Sequence, residues 1–100
     1  MATLTQWELV AETKEWVGPI TVTVNGSPVS GFTLAVTEGQ ARPTTFYTPD
    51  ANPDDGTQYG LIVGTGTSVP LTVNKIYTIW AKYSDDPEIP VLRAGRIKVT

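Results

Sequence analysis

From Leu71 to Thr100 the chain follows a two-residue period, and this constrains its fold more than any other feature. Leu71-x-Val73-x-Lys75-x-Tyr77 leads into a strand that runs through Tyr83. An acidic turn, Asp85-Asp86-Pro87-Glu88, is followed by a last strand over Arg93–Val99. Side chains two apart share a face of a strand, so such a stretch reads as a hairpin with one buried side. Tyr77, Ile79, Ala81, Ile97 and Val99 fall on one face. Ile76, Thr78, Trp80 and Lys82 fall on the other, with Arg96 and Lys98 beside them.

The same period recurs upstream. Ile20-Thr21-Val22-Thr23-Val24 alternates, with Ile20, Val22 and Val24 predicted inward, and ends at Asn25-Gly26, a pair suited to the positive φ of a tight hairpin turn. Pro28 then marks an edge or a loop, because it has no N–H to give to a ladder. Gly31 releases Phe32-Thr33-Leu34-Ala35-Val36, with Phe32, Leu34 and Val36 predicted inward. Short strands are also predicted over Ala41–Tyr47, Tyr59–Val63 and Val69–Val73, the last an edge because of Pro70. Trp7–Val17 reads as one broken extended segment; its only helix-like run, Trp7–Glu12, is too short to stand alone. Thr48–Gln58 is a loop rich in turn formers, and Gly64-Thr65-Gly66-Thr67 a flexible connection. Strands this short, with turn signals between them, predict an all-β antiparallel sandwich or small barrel. The 100 residues make one domain, 1–100, with residues 1–16 as a partly extended N-terminal arm.

Composition narrows the chemistry. There is no histidine and no cysteine. No disulfide is therefore expected, no imidazole serves as a proton carrier near neutral pH, and the usual zinc ligands are missing. Serines and threonines have no base beside them, so the chain reads as non-enzymatic, with no cofactor. The net charge of −3 argues against nucleic acid as a partner, but the charge is unevenly spread. Lys75, Lys82, Arg93, Arg96 and Lys98 crowd the C-terminal quarter, and Glu8, Glu12 and Glu15 lie near the start. Such a division suits subunit contact, or it is the ordinary pattern of solvated strand faces. Met1–Gln6 has neither a basic nor an apolar signal-peptide region, and no apolar run approaches the length of a membrane span, so no membrane partner is expected.

Two acidic clusters invite a metal or acid–base reading. Asp50-x-Asn52-x-Asp54-Asp55-Gly56 resembles the start of a calcium loop, but Gly56 comes one place late, Pro53 intrudes, and Leu61 stands where a bidentate glutamate belongs. A surface turn held by side-chain-to-backbone bonds is the preferred reading. Asp85, Asp86 and Glu88 lie in a hairpin loop with nothing to bury them, which suits a solvated turn or a partner contact better than catalysis.

Leu71–Tyr77 resembles the tyrosine corner of immunoglobulin-like and fibronectin-type domains. The resemblance implies an immunoglobulin-like antiparallel β-sandwich, with Tyr77 pointing inward and its hydroxyl bonded back to the preceding turn. Trp80 then faces outward among cations. It is either part of a cation–π pair covering the sheet or an interface anchor, since Trp and Arg are favoured at interface hot spots. The segment carrying Trp7 and Trp16 is a candidate cover for Trp80. Those two tryptophans read as packing first and as sugar platforms second.

A looser resemblance speaks to role. Tyr77-Thr78-Ile79-Trp80-Ala81-Lys82, Asp86-Pro87-Glu88-Ile89-Pro90-Val91 and Ala94-Gly95-Arg96-Ile97-Lys98-Val99 together look like the ending of small virion proteins of tailed bacteriophages, many from phages of actinobacteria. This implies a capsid decoration or head-associated protein, made in the host cytoplasm and located in the virion. Its partners would be the major capsid protein or other virion subunits, with homo-oligomers in view. The interface candidates are Trp7, Trp16, Trp80, Lys82, Arg96, Lys98, Asp85, Asp86 and Glu88. The alternatives are a carbohydrate- or host-surface-binding module, using those tryptophans or the loop around Tyr47 and Tyr59, and a tail-tube or neck subunit.

Overall fold

The computed structural model describes residues 6–10, 13–24, 27–28, 31–83 and 91–100. Among them there is no helix. Nine strands form: β1 (Gln6–Leu9), β2 (Lys14–Val17), β3 (Thr23–Val24), β4 (Ser27–Pro28), β5 (Thr33–Glu38), β6 (Asp50–Ala51), β7 (Tyr59–Gly64), β8 (Ile76–Lys82) and β9 (Val91–Val99). A four-stranded sheet runs β1-β9-β8-β5, and a three-stranded sheet runs β2-β7-β6. All the pairs are antiparallel except β1 with β9, which is parallel. β3 and β4 pair alone, Val24 with Ser27 and Thr23 with Pro28, the register a two-residue hairpin connection demands. Asn25 and Gly26 themselves lie outside the described residues.

The core explains why these strands come together. Leu34, Ile79, Ile97 and Val99 of the four-stranded sheet and Val17, Leu61 and Val63 of the three-stranded sheet belong to one buried cluster. Phe32 and Val69 join it from the connections. Each fully buried aliphatic side chain contributes about 1.5–3 kcal/mol relative to exposure, so alternation fixes which face of each strand turns in. Two sheets sharing one core are the arrangement of a β-sandwich. The five residues predicted to close that core, Tyr77, Ile79, Ala81, Ile97 and Val99, are all buried. Ile20 and Val22 are buried as well, although regular pairing begins only at Thr23.

Tyr77 is buried and bonds back to the turn before it. Its hydroxyl accepts the Thr72 N–H at 2.8 Å, and Leu71 packs half-buried against the core. This bond explains a departure from expectation. Val69–Val73 is not a strand, because Pro70 has no N–H and that of Thr72 goes to Tyr77. The chain then turns through Asn74, at φ 63°, whose N–H reaches the Val99 carbonyl at 3.0 Å. Gly64–Thr67 is a tight turn: the Gly64 N–H bonds the Val69 carbonyl at 2.9 Å, and the Thr67 hydroxyl donates to the Gly64 carbonyl at 2.7 Å.

The N-terminal segment differs most from the reading of one extended arm. Gln6–Leu9 pairs with β9 in the four-stranded sheet, and Lys14–Val17 pairs with β7 in the three-stranded sheet. The break between them is a crossover from one sheet to the other. Residues 1–5 lie outside the described residues.

Candidate interaction surface

β8 and the Gly95–Val99 part of β9 are sealed on one side and mainly polar on the other. The face of the four-stranded sheet turned away from the core carries Thr33, Ala35 and Thr37 on β5, and Ile76, Thr78, Trp80 and Lys82 on β8. Arg93, Arg96 and Lys98 stand there on β9, and Gln6 and Glu8 on β1.

Strict alternation would put Arg93 and Arg96 on opposite faces. They share one because the β8–β9 register shifts between Ile79 and Trp80: Ile79 pairs with Gly95, and Trp80 with Arg93. Ala94 is the extra residue of a β-bulge, a feature that re-aims side chains. Arg93 was missed as a site residue for this reason. The available signal was Gly95 inside an otherwise alternating strand, a common mark of a bulge.

One half of this outer face is roofed. The connection after β5 is tied down onto it by side chains. The Trp80 indole N–H donates to Thr37 Oγ1 at 2.9 Å, and the Thr37 hydroxyl donates onward to the Ala41 carbonyl. The Thr78 hydroxyl donates to the Gly39 carbonyl, and Arg93 donates to Gln40 Oε1 at 3.0 Å. Lys82 places its ammonium 4.1 Å from the centroid of the Phe46 ring. Trp80 is half-buried as a result, and Ala35, which pairs across from it, is only 1% exposed. The stretch expected as a strand over Ala41–Tyr47 is spent on this crossing. It rejoins the sheet only at Tyr47, which exchanges both backbone bonds with Leu34.

Trp80 therefore faces outward, as alternation predicts, but two expectations about it are corrected. The cation–π pair of this face joins Lys82 to Phe46, not to Trp80. The cover over Trp80 comes from the segment after β5, not from Trp7 or Trp16. Trp7 turns inward on β1 and packs against the core. Trp16 lies on the three-stranded sheet, where its indole N–H bonds the Asp50 carbonyl at 2.9 Å.

The other half of the face is open. Arg93, Arg96 and Lys98 are exposed along β9, and Ile76, across from Lys98, is 46% exposed. Glu8, opposite Lys98 on β1, is the one carboxylate on this face among the described residues. Cations on adjacent strand positions with an apolar neighbour can bind a surface of opposite charge, but the sheet presents no enclosed site here.

The acidic loop is a turn held by its own bonds. Asn52 Oδ1 accepts the Asp54 N–H at 2.9 Å, and Asp55 Oδ1 accepts the Thr57 N–H at 3.0 Å and the Thr57 hydroxyl at 2.6 Å. These bonds from Thr57 hold the Asp55 carboxyl below its ordinary value of 3.8. Asp50 Oδ2 accepts the Ile62 N–H at 2.9 Å. Oxygens of Asp50, Asn52 and Asp55 that a calcium loop would offer are thus aimed at backbone donors. No group of three or more metal-ligating side chains occurs among the described residues. Asp85, Asp86 and Glu88 lie outside them.

A shallow cleft of about 300 Å³ lies between Pro19–Val22, Phe32 and Thr57–Tyr59. Tyr59 beside it is 46% exposed. Tyr47 instead directs its hydroxyl to the Ser68 carbonyl at 3.4 Å. No protein-family model, no curated protein and no solved structure matches the chain.

Proposed function

We propose that this chain is a non-enzymatic structural protein of a tailed-bacteriophage virion, a capsid decoration or head-associated module on an immunoglobulin-like sandwich. The fold part of the reading is supported by the strand order β1-β9-β8-β5 against β2-β7-β6, together with the bond from Thr72 to the Tyr77 hydroxyl. The role rests on the resemblance of the C-terminal hairpin to phage virion proteins. The observation that favours docking over chemistry is the open half of the outer face, with Arg93, Arg96 and Lys98 on a strand anchored in the core by Ile97 and Val99. A module of this kind needs a rigid body and a surface that symmetry repeats, so that weak contacts add up on an assembled shell.

Sedimentation of the purified protein with expanded capsids, and separately with free capsid subunits, tests the reading. Co-sedimentation with shells and not with subunits is expected. Failure to bind any particle would sink it, and ring-shaped oligomers in solution would move the assignment to a tail-tube or neck subunit.

One observation favours a second reading, a glycan-binding module. Tyr59 stands exposed at the rim of the 300 Å³ cleft, beside Gln58 and Thr57. Glycan-array binding that disappears in Tyr59→Ala would support it.

A further inference from the structure

The open basic row and the acidic loop lie on opposite sides of the molecule. Arg96 and Lys98 alternate along β9 with buried Ile97 and Val99, and the bulge at Ala94 turns Arg93 to the same side, so all three point away from the core and from the three-stranded sheet behind it. The loop between β6 and β7 belongs to that second sheet, and its tip, Pro53–Gln58, is exposed throughout. A loop on one side cannot reach a row on the other side of the same molecule, but it can reach the row of a neighbour.

The charges match in sign and spacing. Arg96 and Lys98 are two residues apart on one strand face, about 7 Å. Asp54 and Asp55 are consecutive, with Cα atoms about 3.8 Å apart and side chains that splay further. The loop is ordered in advance by its Asn52 and Asp55 turns and by the Asn52–Gln58 side-chain bond at 2.9 Å, so less freedom is lost on contact. The neighbours on the row neutralise it only in part: Glu8 stands opposite Lys98, but Gln6 opposite Arg96 and Gln40, which holds Arg93, are uncharged. The two patches are different surfaces, so a contact between them runs head to tail and repeats from copy to copy.

Resting on the reading of the chain as an assembly subunit, we propose that the Arg93–Arg96–Lys98 row binds the Asp54–Asp55 loop of a second copy of this chain. Exposed ion pairs are individually weak and screened by salt, so the contact is weak between free copies and strengthens where a shell holds them side by side.

Sedimentation velocity over a concentration series tests this. The wild type is expected to self-associate in low salt and to dissociate near about 1 M salt, where the screening length is about 3 Å. Arg96→Glu/Lys98→Glu and Asp54→Lys/Asp55→Lys are each expected to be monomeric alone and to associate when mixed. Lys14→Glu/Lys75→Glu, which has the net charge of the first variant but leaves the row intact, is expected to keep associating. A wild type that stays monomeric at every concentration in low salt overturns the proposal. So does association that survives the row reversal, or a loss that is equal in the row variant and the Lys14/Lys75 control. Row-dependent binding of duplex DNA without self-association also overturns it, in favour of a polyanion site. A monomer that still binds capsids removes this contact and leaves the virion reading standing, whereas a self-associating protein that binds no particle does the reverse.

Discussion

Trp16 and Trp80 occupy equivalent places on the two sheets and are held in different ways. Each lies on the face turned away from the core, each is half-buried, and each donates its indole N–H over 2.9 Å to another strand of its own sheet, Trp16 to β6 and Trp80 to β5. Trp16 rests on backbone. A Cβ added at Gly18 would come within 2.7 Å of the ring, and one added at Gly60 within 2.9 Å of it, so the indole lies flat where two side chains are missing. Its acceptor is a main-chain carbonyl, that of Asp50. Trp80 rests on side chains: Thr37 takes its N–H, Ala35 lies across from it, and Arg93 pairs with it on β9. The first tryptophan covers a sheet whose backbone was shaped to receive it. The second borders an open row of cations. An aromatic on an outer strand face can thus be part of the wall or the margin of an interface, and what lies beneath it tells the two apart.

The comparison breaks most severely at Gly60. An alanine there would drive its methyl into the Val17 carbonyl oxygen as well as the Trp16 ring. Overpacking of this kind costs about 1–3 kcal/mol, and a collision with main chain belongs at the upper end. For a domain of this size that is a fall in Tm of more than about 10 °C, readable by thermal denaturation. Trp16→Ala is expected to cost about 2–3 kcal/mol, below the range for a fully buried tryptophan because half of the ring already meets solvent. Trp80→Ala should cost less, about 1–2 kcal/mol. Equal losses in urea titrations of the two variants would erase the difference between the two tryptophans.

A finer separation comes from the acceptors. Thr37→Val removes the partner of the Trp80 N–H and the bond to the Ala41 carbonyl together, for a loss of about 1 kcal/mol. The Trp80 indole N–H resonance should move while that of Trp16 stays fixed. Acid gives the converse and smallest effect. The carboxyl of Asp55 is held below 3.8, so its bonds to Thr57 contribute fully above that value and are lost as the pH falls through the lowered one. The Thr57 amide should shift in that range, on the Trp16 side of the molecule, and the Trp80 indole should not.

Much of this architecture can be read from the sequence, because period-two alternation is enforced by burial. The inward set of β8 and β9 and the strand β5 follow from it, whereas the bond back from Tyr77 was implied by the resemblance of Leu71–Tyr77 to a tyrosine corner. What alternation misses are the places where chain geometry interrupts it. The Ala94 bulge turned Arg93 onto the same face as Arg96. The stretch after β5 has strand-like residues but bonds across the sheet face through Thr37, Gly39 and Gln40. Trp7–Val17 looks like one element, yet its two halves pair in separate sheets, and local composition does not encode that partition. Val69–Val73 has the residues of a strand, but the Thr72 N–H goes to the Tyr77 hydroxyl and not to a ladder.

The central claim is that the open half of the four-stranded sheet is the contact face, through which copies gathered on a shell hold one another in place, and that the Trp16 face is structural. Co-sedimentation of Arg96→Glu/Lys98→Glu with expanded capsids, beside the wild type and with thermal denaturation of both, tests it most directly. These exposed side chains contribute within about 0.5 kcal/mol to stability, so the variant should melt with the wild type and lose particle binding. A variant that melts with the wild type and binds capsids equally well would contradict the account.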